Sequence, residues 1–281
     1  MTAARTAGAV LGGGALAAAA LAAYAFLVEP RWIEVTHTRV GVPCLPAGRR
    51  VRLALLTDLH AGAGTPLSLV RRACAAAMDA HPDAIALTGD FVSGARDDAD
   101  LGRLMHLLDD ALDAPLGVFA VPGNHDHEAG VARWHHHLRT CPRLTDLTNR
   151  AERRTVEGCR LWIAGVDSLT RGTPREERAL PPPEAEDVTV LLAHNPDHAE
   201  AASEHLGPVN LVVSGHTHGG QVRLPFAGAL VNPSRHEALY EDGLTHRPWA
   251  AVYVSRGIGT VHLPVRFRCR PEVAILDLEG V

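Results

Sequence analysis

Five short apolar runs recur along the chain, and each stops at a polar cluster rich in Asp, Asn or His. Residues 53–57 run into Asp58 and His60, residues 84–88 into Gly89-Asp90, and residues 118–121 into Pro122-Gly123-Asn124-His125. Further on, 188–192 lead to His194 and 209–213 to Gly215-His216-Thr217-His218. Continuous apolar runs this short, closed by glycine or proline, predict strands buried on both faces. Helical patterns at 67–80 and 99–112 separate the first three, so the units read βαβ. Elsewhere, alternation at 33–38 predicts an edge strand, with 42–48 linking it to the first buried strand. A short strand at 144–148, a hairpin at 155–165 around Glu157-Gly158, and strands at 252–254 and 273–278 complete the pattern. Pro181-Pro182-Pro183, with the charged neighbours Arg175 and Arg178, marks a surface loop that could face substrate. These patterns by themselves give a layered α/β class.

In parallel α/β sheets, ligands gather at the carboxyl ends of the strands. All five polar clusters sit there, so their donors are expected on one rim. Carboxylate, amide and imidazole donors without thiolate suit Mn²⁺, Fe or Zn²⁺. One aspartate has two oxygens and can bridge two ions, which in dinuclear sites lie roughly 3.5–4 Å apart and clamp the attacking and leaving oxygens. A hydroxide held between them, from water whose pKa falls to about 7, would be the nucleophile. A histidine beside the ions could protonate the leaving alkoxide.

The five blocks, taken in this order, resemble the calcineurin-like metallophosphoesterases from residue 51 to the C-terminus. In that family the Asp-x-His pair, the Gly-Asp aspartate and the last His of Gly-His-x-His hold one metal. The resemblance therefore implies Asp58, His60, Asp90 and His218 as ligands of the first ion. The second ion shares Asp90 as a bridge and adds Asn124, His194 and His216. His125 matches the residue that contacts phosphate and is the implied catalytic acid. The resemblance also implies a four-layer α/β/β/α sandwich and two divalent ions, Mn first, with Fe or Zn as alternatives.

One departure from the family is visible. Many of its phosphatases extend Gly-Asp to Gly-Asp-x-x-Asp-Arg, with the second Asp orienting the catalytic His and the Arg holding phosphate. Here Ser93 and Gly94 stand at those positions. The tail, at 215–225, 253–259 and 263–272, is similar to another branch, the small bacterial membrane-associated phosphoesterases. That branch includes enzymes cleaving a UDP-diacylglucosamine pyrophosphate, so a phosphodiester or pyrophosphate bond, on a lipid-linked nucleotide, is the expected target. A broad phosphomonoesterase, a cyclic-nucleotide phosphodiesterase and a non-catalytic scaffold are the alternatives. An intact ligand set argues against the scaffold.

The remaining histidines read more plainly. His135-His136-His137 follows Trp134 on a helical pattern, where consecutive residues point in different directions, and is expected to be a solvated face. His125-Asp126-His127 lacks the second Asp-His pair of a metallo-β-lactamase pattern, since Glu128-Ala129 follows. His262 and Arg256 are candidates for touching substrate, the latter because arginine suits bidentate phosphate recognition.

From 7 to 28 the chain carries no charge, and these 22 residues suffice to span a bilayer core. Arg31-Trp32 follows at the interface position. A retained transmembrane helix is the expectation. A cleaved signal ending at Ala23-Tyr24-Ala25 and a helix lying in the interface are the competing fates. Arg31 and Arg39 after the segment, against Arg5 before it, point to a cytoplasmic catalytic domain at the cell membrane. The expected division is 1–30 anchor or signal segment, 31–50 edge strand and linker, and 51–281 catalytic domain. Net charge is −5 with the signs interspersed, so no basic stripe for nucleic acid is evident. All 27 basic residues are arginine, and the five cysteines form no C-x-x-C pair or disulfide framework.

Overall fold

A computed structural model of the chain describes all residues except 1, 44, 63, 95–97, 157, 181–186, 202, 204–208 and 237–238, and leaves aside the side chains of 2–12 and 98–100. Cys44, Glu157 of the expected hairpin turn and the Pro181-Pro182-Pro183 loop thus lie outside the described residues.

The strand pattern resolves into two six-stranded mixed sheets. In chain order, β1 is Glu34–Val42, β2 Arg50–Leu56, β3 Ala84–Leu87, β4 Val118–Ala120 and β5 Leu144–Asp146. Then come β6 Arg150–Val156, β7 Cys159–Gly165, β8 Val188–Leu192 and β9 Leu211–Ser214. A small ribbon, β10 Arg223–Leu224 and β11 Gly228–Ala229, precedes β12 Gly243–His246, β13 Ala251–Val254 and β14 Glu272–Gly280. The first sheet has the order β1-β14-β2-β3-β4-β5 and the second β12-β13-β9-β8-β7-β6. The three central βαβ strands β2, β3 and β4 run parallel, as do β7, β8 and β9. Strand β1 runs parallel to the last strand along nine residue pairs, so the segment after the N-terminal helix closes one edge of the first sheet.

Side-chain alternation explains why the sheets stack. In β2, Val51, Leu53 and Leu55 face the second sheet, while Ala54 and Leu56 face helices. The inter-sheet core joins Leu55, Phe119 and Leu276 to Ile163, Val190 and Val213. Against the outer face of the first sheet pack α2 (Leu67–Asp79), α3 (Asp98–Ala111) and α4 (Asn124–Leu138), carrying Val70, Leu104 and Trp134 into the core. The outer face of the second sheet is covered by Ala179, Ala199, Tyr240 and Trp249. These come from two short helices, Glu176–Ala179 and Asp197–Ala201, and from loops, so the fourth layer of the sandwich is thin.

At the N-terminus, α1 runs from Thr2 to Ala23 and continues through one wide π turn, Tyr24–Val28, and one 3₁₀ turn, Glu29–Arg31. The stretch Gly13–Arg31 is long and apolar enough to cross a membrane by length and composition.

Phe119 is fully enclosed between the sheets. Phe119→Ala is expected to leave a cavity there and lower the unfolding free energy by about 3–5 kcal/mol, read from denaturant melts. A loss below about 1 kcal/mol would mean that the sheets close the gap and that packing there is loose.

Candidate metal centre

The five parallel strand ends converge as their sequence order requires. Asp58 and His60 follow β2, Asp90 follows β3, and Asn124 and His125 open α4 directly after β4. His194 follows β8, and His216 and His218 follow β9, so each sheet supplies part of one cluster. The backbone turns sharply at this rim. Asp58, His60, Asp90, His216 and His218 all have left-handed φ, between 43° and 72°. Such conformations cost of order 1–3 kcal/mol each and persist only where the surroundings impose them. Glycine makes the turns possible: a Cβ on Gly123 would fall on the Asp90 carboxylate, and one on Gly215 on the Asp58 carboxylate.

Three overlapping triads of donors result, Asp58-His60-His218, His60-Asp90-His125 and Asp90-His194-His216, each with its ligand atoms within 4.8 Å of one another. The Nε2 atoms of His60 and His218 lie 3.1 Å apart. Asp58 Oδ1 stands 3.4 Å from the latter and 3.9 Å from the former. On the other side, His194 Nε2 is 3.1 Å from Asn124 Oδ1 and 3.3 Å from Asp90 Oδ2. The same Asp90 oxygen is 3.5 Å from His60 Nε2, so this carboxylate sits between the two groups. Donors bound to one ion through bonds near 2.0–2.1 Å stand about 3–3.5 Å apart; all of these spacings but the 3.9 Å one fall in that range, so the cluster is a candidate divalent-metal site with Asp90 at its centre.

Burial sets the charge of each group. Desolvation lowers the pKa of His60 to about 3 and of His216 to about 4, and pushes that of His218 well below the ordinary range. Neutral imidazoles with free lone pairs are what a metal requires. Burial also opposes charge on His194, yet Asp90 and Asp58 outweigh it and raise this imidazole to about 9. Its Nδ1 meets the Thr88 carbonyl at 2.8 Å, which turns Nε2 toward Asp90 and Asn124. Asp58 is raised to about 6 by burial, with Asp90 adding to the effect. Asp90 is desolvated too, but His194, His60 and His125 hold it well below the usual carboxylate range. Its Oδ1 accepts the backbone N–H of His125 at 2.9 Å, at the positive end of α4.

A profile of the calcineurin-like phosphoesterase family matches residues 51–220. The chain belongs to this family. The phosphoesterase is 32% identical over 278 residues to the uncharacterized metallophosphoesterase YkuE of Bacillus subtilis (strain 168), covering 95% of this chain and 94% of that one. It is likewise 32% identical over 263 residues to the phosphodiesterase YaeI of Escherichia coli (strain K12), covering 91% and 92%. A Danio rerio transmembrane protein with metallophosphoesterase domain is 29% identical over 276 residues, 93% of this chain and 61% of its own. The family is hydrolytic and uses divalent metal ions, so the chain is a hydrolase of phosphoric esters.

The implied metal ligands and His125 lie together at the rim, and the other candidates fall around them. Ser93, at the family's aspartate position, lies 3.3 Å from His60 Nδ1 and faces that imidazole. The carboxylate beside His125 is Glu128, one turn along α4, with Oε2 3.3 Å from Nδ1 and Oε1 3.1 Å from Arg171. Arg256 is drawn away from any phosphate role, because Glu34 at 2.9 Å and Glu272 at 3.4 Å pair its guanidinium. His262 lines the mouth on both sides of its loop. In the histidine tract, His136 is exposed and His135 meets Asp146 at 2.9 Å, away from the triads.

Two supporting residues carry no motif that names them. Asp126 accepts the N–H groups of Phe91 and Gly123, at 2.9 and 2.8 Å, tying the β3 and β4 exits together; its spacing from Gly123 as a capping-box residue is the available signal. Arg266 is wholly buried and donates to the carbonyls of Arg256, Gly257, Gly259 and Cys269, fixing the loop whose Gly259 N–H bonds Asp58 O at 2.7 Å.

A His194 imidazole raised to about 9 holds a proton at neutral pH that an incoming cation must displace. Metal uptake at pH 7 is therefore expected to release about one proton from this side chain and to tighten as pH rises toward 9, the release fading above it. Calorimetric titration of the metal-stripped protein in buffers of different ionisation enthalpy checks this; uptake with no proton release at pH 7 would contradict the assigned charge.

Proposed function

We propose that this chain is a membrane-anchored phosphoesterase in which Asp58, His60, Asp90 and His218 hold one divalent cation, and Asp90, Asn124, His194 and His216 a second. The observation that carries the reading is the pair of donor groups sharing Asp90. The all-nitrogen-and-oxygen donor set suits Mn²⁺, Fe or Zn²⁺, and Mn²⁺ is the preferred assignment. When bound, such ions supply a water of lowered pKa and neutralise charge on the attacking and leaving oxygens of a phosphoryl centre.

The chain's own residues do the rest. His125 belongs to the triad with His60 and Asp90, its ring centroid 5.0 Å from that of His60, and lies at the edge of the cleft formed with Ser93, Glu128, Thr260 and Pro264. From there it can give a proton to the departing oxygen. Glu128 Oε2 lies 3.3 Å from Nδ1, where the family aspartate is missing, as an ion-pair contact without hydrogen-bond geometry.

The mouth supports a phosphodiester or pyrophosphate that is lipid-linked. The loop 261–264 divides it in two. On the His125 side lies the cleft just described, of mixed polar and apolar lining. On the His216 and His218 side lies a groove of about 280 Å³ walled by Val222, Leu230, Val231, Leu263 and Val265. A small soluble ester has no use for that second wall, whereas an acyl chain does. Tethering by α1 would hold this mouth near a bilayer, with the arginine excess after the segment favouring the cytoplasmic face.

Metal-stripped full-length protein in detergent is expected to be inactive on bis-p-nitrophenyl phosphate and to recover with Mn²⁺, while Asn124→Ala and His216→Ala stay inactive. Recovery in both variants would remove the dinuclear assignment. Loss of a general acid costs typically 10²–10⁴-fold. His125→Ala is therefore expected to lower kcat by that order on a diester with an alkoxide leaving group, and far less on the p-nitrophenyl ester, whose leaving group needs no proton. An equal loss on both would assign His125 to binding alone.

A further inference from the structure

Around the apolar groove the surface changes character. The β10–β11 ribbon ends in Pro225-Phe226-Ala227, and Phe226 at its tip is fully exposed. Leu224, Leu230, Val231 and Leu263 are exposed beside it, all on segments that wall the groove or adjoin it. Monomeric soluble proteins seldom gather large apolar side chains this way, and such a patch marks something that covers it.

Hydrogen bonding says what lies next to it. Phe267 N–H bonds Gln221 O at 3.0 Å, and Arg223 N–H bonds Phe267 O at 2.9 Å, so the ribbon's base is pinned to 266–269. That segment in turn receives the end of the N-terminal helix: Arg266 N–H bonds Ala25 O at 3.0 Å, and Cys269 N–H bonds the buried Glu29 carboxylate at 2.5 Å. Along the helix, Leu16, Leu21, Phe26, Leu27 and Val28 are exposed. A polar border follows: Arg31 and Arg268 are exposed, and the Arg270 guanidinium lies 3.8 Å over the half-exposed Trp32 ring. Apolar side chains flanked by Trp and Arg are the arrangement of a membrane–water interface.

We infer that the tip of the β10–β11 ribbon, with Leu230, Val231 and Leu263, inserts into the same bilayer that holds α1, so that the apolar groove opens directly onto lipid. This rests on the reading of α1 as a membrane anchor. The occupant of the patch is the lipid surface, because the helix that needs that surface leaves the domain through the segment that carries the ribbon. The apolar wall then runs unbroken from the bilayer to His216 and His218. A lipid phosphate could present its headgroup to the rim with its chains still in the membrane.

The test uses full-length protein in phosphatidylcholine–phosphatidylglycerol vesicles, in a Cys44→Ser background; the remaining cysteines are buried. An environment-sensitive fluorophore is attached through Phe226→Cys, Leu16→Cys or Asp113→Cys, the last on the turn before β4 at the opposite end of the sheet. Vesicles with and without nitroxide-labelled lipid are compared. The inference expects the probes at 226 and 16 to lose most of their emission to the nitroxide and the probe at 113 to lose none. Quenching at 16 without quenching at 226 overturns the inference and leaves the anchor intact. Blue-shifted but unquenched emission at 226 overturns it in favour of a second copy of the chain covering the patch. Absence of quenching at both sites removes the anchor and the inference together. Quenching at 226 alone removes the anchor and overturns the inference, which needs ribbon and helix in one bilayer.

Discussion

A carboxylate sealed from water must be solvated by the protein around it, and Asp90 is the group on which this rim depends. It is 2% exposed, yet burial does not leave it neutral. The N–H of His125 meets one oxygen while His60 and His194 face the other. Those partners come from β2, β4 and β8, so solvating one side chain requires both sheets to end at the same level. The steric demands follow from that. Gly123 lets the β4 exit lie against the carboxylate, and Gly89, at a φ of 94°, lets β3 turn beside Gly123 and His194. Left-handed φ at five polar residues of the rim is tolerated because the strands behind them cannot yield. Leu55, Phe119, Val190 and Val213 lock those strands together from inside the sandwich.

Charge at the rim is distributed as burial and proximity dictate. Three imidazoles are driven neutral by desolvation, while the fourth, His194, is kept charged because Asp90 and Asp58 are close enough to overcome the same penalty. Asp126 illustrates the counterpart: burial and the nearby Asp90 raise it to about 7, against two backbone N–H groups that favour its ionised form. Proton and cation thus compete for one space. A cluster of buried anions and lone pairs answers to whichever positive charge is available. The His194 imidazole, raised by Asp90 and Asp58, is the positive charge the chain itself sets against the Asp90 carboxylate.

Much of this is legible from the chain alone, for physical reasons that differ by element. The parallel strands announce themselves because burial on both faces demands continuous apolar runs such as 53–57 and 188–192. The helices at Leu67–Asp79 and Asp98–Ala111 fall within a residue of the pattern's 67–80 and 99–112. Edge elements are less legible: β1 extends to Val42 and β6 begins at Arg150, beyond the expected 33–38 and 155–165. Those strands have one solvated face, and their ends are set by partners distant in sequence, β14 for β1, rather than by their own pattern. At the site, donors carried by compact motifs are visible, whereas Arg266, Asp126 and Glu128 are not. Arg266 and Glu128 act through backbone carbonyls or an exposed ion pair, which leave no spacing signature, and Asp126 shows only its capping-box spacing from Gly123. Arg256 looks like a phosphate clamp in sequence only because its carboxylate partners, Glu34 and Glu272, lie so far away along the chain.

The loop 261–264 ties the chemistry of the rim to the surface around it. Gln221, itself at a φ of 55°, donates to the carbonyls of Val261 and Leu263 at 3.2 Å each and accepts the Val261 N–H at 2.9 Å. One side chain thereby joins the loop that carries His262 to the base of the ribbon that carries Phe226. Just upstream, His218 contributes to the first triad and shares its carbonyl with the Cys269 thiol at 3.1 Å. Cys269 in turn is fixed by Glu29 at the end of the N-terminal helix. Helix end, ribbon, loop and donor are therefore linked by direct hydrogen bonds over a few residues, with no flexible connection between them. A displacement at the apolar surface would reach His218 through the Gln221 amide, the Glu29 carboxylate and the Cys269 thiol. Under the proposed reading, with a lipid-linked substrate and a membrane-seated ribbon, that linkage makes seating on the membrane and shaping the mouth one structural event.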